Sequence, residues 1–71
     1  MNSVKLEFVV FCIESLAKEL NINAEKVYKA LKESNIIDEY IVPEYESLHT
    51  QSKEYIINDI IDVMSERDVE I

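Results

Sequence analysis

The chain of 71 residues contains no glycine and a single proline, Pro43. Strands, tight hairpins and phosphate-cradling loops all lean on glycine for backbone shapes that other residues adopt only at a cost. Their absence leaves a helical protein, and the expected fold is all-α, one domain spanning residues 1–71. Domains this small bury only about 60% of their unfolded surface, so stability is marginal and a partner chain would add to it.

Hydrophobic periodicity supplies the elements. Leu6, Val9, Ile13, Leu16 and Leu20 recur at three and four, which predicts a long first helix from about Ser3 to Leu20 with this stripe inward. Asn21 stands where glycine usually closes a helix, and Asn23 suits the cap of a second helix, about Ala24 to Ser34. Val27 and Leu31 point inward there, with Ala24 and Tyr28 beside them. Glu25, Lys29 and Glu33 form a solvated, alternating face. Asn35 ends that helix as Asn21 ended the first. Two short helices follow, about 36–41 and 43–49, broken before Pro43 because the residue preceding proline is biased out of the helical region. Thr50 or Ser52 then caps a second long helix, about Lys53 to Glu66. Its two apolar stripes, Ile56, Ile60, Val63 and Ile57, Ile61, Met64, require at least two neighbours. Residues 67–71 are expected to fray.

Net charge is −8, unevenly spread: residues 1–32 carry +1, whereas residues 33–71 hold eleven acids against Lys53 and Arg67, giving −9. Such a half repels nucleic acid and anionic lipid, and attracts basic protein surfaces; it also simply keeps a small protein in solution. The single cysteine, Cys12, cannot form an internal disulfide, which fits a reducing cytoplasm. The longest apolar run, Phe8 to Ile13, is six residues against the roughly 20 that a membrane span needs. Neither membrane insertion nor export is expected.

Two surfaces could carry function. Phe11 lies nearly opposite the centre of the first helix's stripe, with Phe8 and Cys12 to one side, so it needs a second cover. Either the later helices supply it, or Phe11, with Val4, meets a second chain. On the last helix Tyr55, Asp59, Asp62 and Glu66 fall at i, i+4, i+7 and i+11. That acidic strip, headed by an aromatic, is either the wet side of an amphipathic helix or a surface for a basic partner.

A different class of function is suggested by LAKELNINAEKVYKAL, Leu16 to Leu31, whose spacing matches a helix-turn-helix with Lys26, Lys29 and Lys32 toward phosphates. Against DNA binding stand the −9 of residues 33–71 and a second helix with no arginine, asparagine or glutamine to read bases. Catalysis has less support. One histidine and one cysteine make no ordinary transition-metal site, phosphate loops need the missing glycines, and the acids follow no calcium-loop pattern. His49, near Tyr45, Ser47 and Thr50, suits a structural place at the end of a short helix. No enzyme activity, cofactor or metal is expected.

The stretch YESLHTQSKEYIINDI, Tyr45 to Ile60, resembles short bacterial proteins grouped as family 3791 of domains of unknown function. It carries that family's tyrosine followed by Leu-His-Thr, then Tyr-Ile and an acidic-isoleucine pair: Tyr45, Leu48, His49, Thr50, Tyr55, Ile56, Asp59 and Ile60. EFVVFCIE, Glu7 to Glu14, is similar to the family's first helix, and NINAEKVYKALKESNIIDEYI to its middle. Members often carry glycine near the positions of Ala24, Asn35 and Ser52, where this chain has none. The resemblance implies a helical fold without implying a reaction. It also implies a gene neighbourhood, beside larger toxin-like proteins, in which a small acidic protein would serve as antitoxin or accessory subunit. The expected function is a non-catalytic interaction module with Phe11, Tyr55, Asp59, Asp62 and Glu66 at its surface, Tyr45 and His49 maintaining the fold, and a homo-oligomer as another arrangement.

Overall fold

A computed structural model describes residues 2–71. Its elements are α1 (Ser3–Leu20), α2 (Ala24–Glu33), a π-helical segment (Ile37–Ile41), α3 (Tyr45–Leu48) and α4 (Lys53–Glu66). The fold is all-α, and no strand occurs among the described residues. Helix α1 packs against both α2 and α4, and α2 against the π-helical segment.

Every long helix starts on a polar cap that the sequence marks. Asn2 accepts from the Lys5 backbone N–H at 2.9 Å, Asn23 from that of Glu25 at 2.7 Å, and Ser52 Oγ from that of Tyr55 at 3.1 Å. Each satisfies a donor that the first helical turn leaves without a partner. Of the two candidates for α4, Ser52 is the cap; Thr50 Oγ1 instead donates back to the Ser47 carbonyl at 3.1 Å.

Without glycine, the chain closes its helices with Asn21, Asn35 and Asp68, at φ 55°, 65° and 55°. At Asn21 the Ile22 N–H reaches the Ala17 carbonyl and the Asn21 N–H that of Lys18; at Asp68 the Val69 N–H reaches Met64 and the Asp68 N–H reaches Ser65. These paired bonds are the Schellman closure, which demands a left-handed residue. Asn35→Ala should therefore cost about 1 kcal/mol, because alanine lacks the local side-chain bonding that eases that conformation, whereas Asn35→Gly should be neutral or stabilising. Thermal unfolding of the two variants beside the parent checks this.

The closure at Asp68 corrects the expectation of a fraying C-terminus. Val69 packs against the core, and Arg67 Nη1 donates to the Ser34 carbonyl at 3.0 Å and to Glu39 Oε1 at 2.9 Å. The anchor spans 33 residues of sequence, a separation at which local patterning gives no signal.

Pro43 brings a second correction. Val42, expected outside the helical region, has φ −68° and ψ −49°. The helix widens instead of breaking: the Val42 N–H bonds to Ile37, five residues back, and the Glu44 N–H to Tyr40. A π turn gives the proline ring more room against the preceding carbonyls than an α turn would. Residues Ile36, Ile37 and Ile41 consequently continue into the core together.

One cluster of apolar side chains fills the interior, with Leu16, Val27, Leu31, Ile36, Ile41 and Ile60 fully enclosed. Helix α4 buries Ile56, Ile57, Ile60 and Met64, with Ile61 and Val63 half-buried, so both of its stripes are used. Helix α1 is rotated from expectation. Its buried set is Phe8, Val9, Cys12, Ile13, Ser15 and Leu16, while Leu6 is 52% exposed and Leu20 half-buried. At 100° per residue the inward face has turned by roughly 60° toward Phe8. Enclosing a phenylalanine removes more apolar area from water than enclosing Leu6, and α3 offers Phe8 a ring to pack on.

Candidate interaction surface

A row of rings runs from α1 to α3. Phe11 stacks on Phe8 with centroids 6.2 Å apart, Phe8 meets Tyr45 edge-on at 5.3 Å, and Tyr45 stacks on His49 at 4.5 Å and 10°. Phe8 is buried, Tyr45 half-buried, and Phe11 and His49 are exposed. The row thus starts and ends in solvent and crosses the core edge between.

The spacing of the Tyr45–Leu-His-Thr stretch explains itself in this geometry. Four residues apart on one helical turn, Tyr45 and His49 share a side, and Leu48 points into the core with 4% exposure. His49 Nδ1 lies 2.9 Å from the Tyr45 carbonyl oxygen. A carbonyl only accepts, so Nδ1 carries the proton and donates. That bond gives His49 the structural place at the end of a short helix that its position suggests. Ring stacking, this bond and the Thr50–Ser47 bond hold α3 closed from within, and Phe8 of α1 supports it from outside.

The acidic strip is less uniform than its spacing suggests. Tyr55, Asp62 and Glu66 are exposed along α4, but Asp59 is half-buried and accepts the Tyr40 hydroxyl. Burial, reinforced by that bond and by the Asp59 charge, raises the Tyr40 hydroxyl well above its ordinary value of 10.0. Burial also pushes the Cys12 thiol up, from 9.0 to about 12, leaving it protonated and inert at neutral pH. Both shifts are upward, so both groups stay neutral in the folded state while the unfolded chain ionises near 9 to 10. Their stabilising contribution is complete below pH 9 and is lost as pH rises through the folded values. Urea midpoints should hold steady to about pH 9 and fall above it. In Tyr40→Phe the fall should be shallower.

Of the lysines suited to DNA, Lys26 and Lys29 are exposed, but Lys32 Nζ lies 3.1 Å from Asp38 Oδ2, which offsets its charge. Beside Phe11 lies a groove of about 770 Å³, open to solvent and lined with mixed charge, including Glu14, Lys18 and Lys53. Among the described residues no group of three or more His, Cys, Asp or Glu side chains is arranged to hold a metal ion, and no helix is long and apolar enough to cross a membrane.

What the sequence underrates is the rest of α1's outer face. Leu6 and Val10 are 52% and 44% exposed, beside Phe11 at 39% and Val4 at 51%, the pair already marked. The signal was present in the run Phe8 to Ile13, which holds more apolar residues than one inward stripe can use.

The ring row, with Ile56 and Ile60 of α4, falls on stretches that the resemblance singled out, and comparison with known families agrees. The sequence pattern of the protein family of unknown function DUF3791 matches residues 7–67. The chain belongs to this family. No curated protein and no solved structure matches it. Within this DUF3791 protein the matched span runs from Glu7 in α1 to Arg67, the side chain that ties the end of α4 to the middle of the chain.

Proposed function

We propose that this DUF3791 protein is a non-catalytic interaction module that binds another protein, acting in a reducing cytoplasm as antitoxin or accessory subunit to the product of a neighbouring gene. The observation that carries this is the set of four large apolar side chains left exposed on the first three turns of α1. A monomer of 71 residues has little apolar surface to spare, and a cluster of this kind is where helical interfaces anchor. Asp62 and Glu66 on α4 supply long-range attraction for a basic partner, since acids at the rim act mainly on the rate of encounter, and the Tyr55 ring adds contact area. Asp59 contributes charge from a fixed position on Tyr40. Tyr45, Leu48, His49 and Thr50 serve the fold that presents these residues.

Molar mass by light scattering tests this, first for the protein alone and then mixed with the product of the adjacent gene. The expected result is a monomer that forms a complex of fixed stoichiometry, with association slowed in high salt. A homodimer indifferent to its neighbour would overturn the proposal.

A further inference from the structure

On α1 the exposed apolar residues form two rows rather than one patch. Leu6 and Val10, four apart, lie on one side; Val4 and Phe11, seven apart, lie on the other. Between the rows runs a line of exposed charge, Glu7 and Glu14, also seven apart. From Val4 to Phe11 the face is about 12 Å long at 1.5 Å per residue. We infer that this face receives a basic amphipathic helix of another protein, with lysine or arginine along its seam and apolar residues on either side. The inference rests on the protein-binding function proposed above and assigns its surface and the partner's chemistry.

Charge decides between this occupant and a second copy of the chain. All four apolar residues lie between positions 4 and 11, so an antiparallel α1 pair that matches apolar to apolar must centre near residue 7. That register sets Glu7 against Glu7 of the other copy in a desolvated seam, where like charges repel strongly. Shifting the register until Glu7 meets Lys18 relieves the repulsion but carries Val4 and Leu6 past the apolar stretch, opposite polar residues near Glu19 and Asn21. Neither antiparallel register satisfies both demands, and a parallel pair in register again sets Glu7 beside Glu7. A helix with cations opposite Glu7 and Glu14 satisfies them together, and the −8 net charge favours its approach.

A synthetic leucine–lysine amphipathic peptide of roughly 15 residues, long enough to hold a helix, is the probe, with a leucine–glutamate peptide of the same pattern as control. Titration into the full-length protein, followed by amide NMR shifts, should give saturable 1:1 binding of the lysine peptide alone, with shifts centred on Leu6, Val10 and Phe11. Phe11→Ala should weaken binding about tenfold by removing an anchor. Glu7→Gln with Glu14→Gln should weaken it by roughly another tenfold and flatten its salt dependence. These side chains are exposed, so circular dichroism should show each variant folded. The inference is overturned by absent or non-saturable binding, by equal binding to the glutamine variant, by equal binding of the glutamate peptide, or by shifts confined to Tyr55, Asp62 and Glu66. A complex with the adjacent gene product that survives the α1 variants would sink this inference alone; absence of any such complex would sink the protein-binding function beneath it.

Discussion

Leu16→Ala is expected to cost about 2–5 kcal/mol, a large share of what a domain of this size possesses. The variant should be partly unfolded at 37 °C. Leu16 has no exposure and belongs to the single core cluster of a helix that packs on both α2 and α4, so its truncation leaves a cavity. Leu6→Ala, on the same predicted stripe but 52% exposed, should change stability by less than about 0.5 kcal/mol. Urea unfolding followed by circular dichroism separates the two. Equal losses would mean that α1 packs on the face its periodicity suggested and not on the face seen here.

Phe8→Ala should be comparably severe, about 3–5 kcal/mol, since Phe8 is the ring that joins α1 to α3. Its removal takes away the edge-on contact with Tyr45 and the stack under Phe11, and α3 has only four residues of its own to stay folded. The effect should reach His49, whose stacking partner Tyr45 would lose its support. Unfolding midpoints and the histidine ring signals in NMR check both parts. By contrast, Phe11→Ala should leave stability nearly unchanged while weakening partner binding, because its outer side faces solvent. A Phe11→Ala variant as unstable as Phe8→Ala would assign Phe11 to the core.

Elements and their ends were legible wherever the deciding interaction is local. The cap at Asn23 and the left-handed closures at Asn21 and Asn35 depend on side chains within a few residues, and they stand where spacing put them, while for α4 spacing left Thr50 or Ser52 and the structure selects Ser52. The stripes of α4 were legible for the same reason, both being used. The rotation of α1 was not, because period fixes which residues share a face and leaves open which face turns inward. Phe8 in the core was decided by Tyr45, which lies 37 positions further on.

The surface divides in the same way. Sequence marked Phe11 and the α4 acids, and all of them are at least partly accessible. It did not separate Asp59 from its neighbours, since the Tyr40 hydroxyl that holds it comes from the π turn before Pro43. Nor did it show Leu6 and Val10 in solvent.

By itself, then, the sequence determined that this protein is helical, where its three longer helices begin and end, and to which family it belongs, since missing glycine, capping residues and short-range periodicity act within a turn or two. Tertiary structure decided which face of α1 is buried, how the tail is anchored through Arg67 and Val69, and which apolar side chains remain exposed. Those outcomes depend on competition among faces for one small core, and no single segment contains its result.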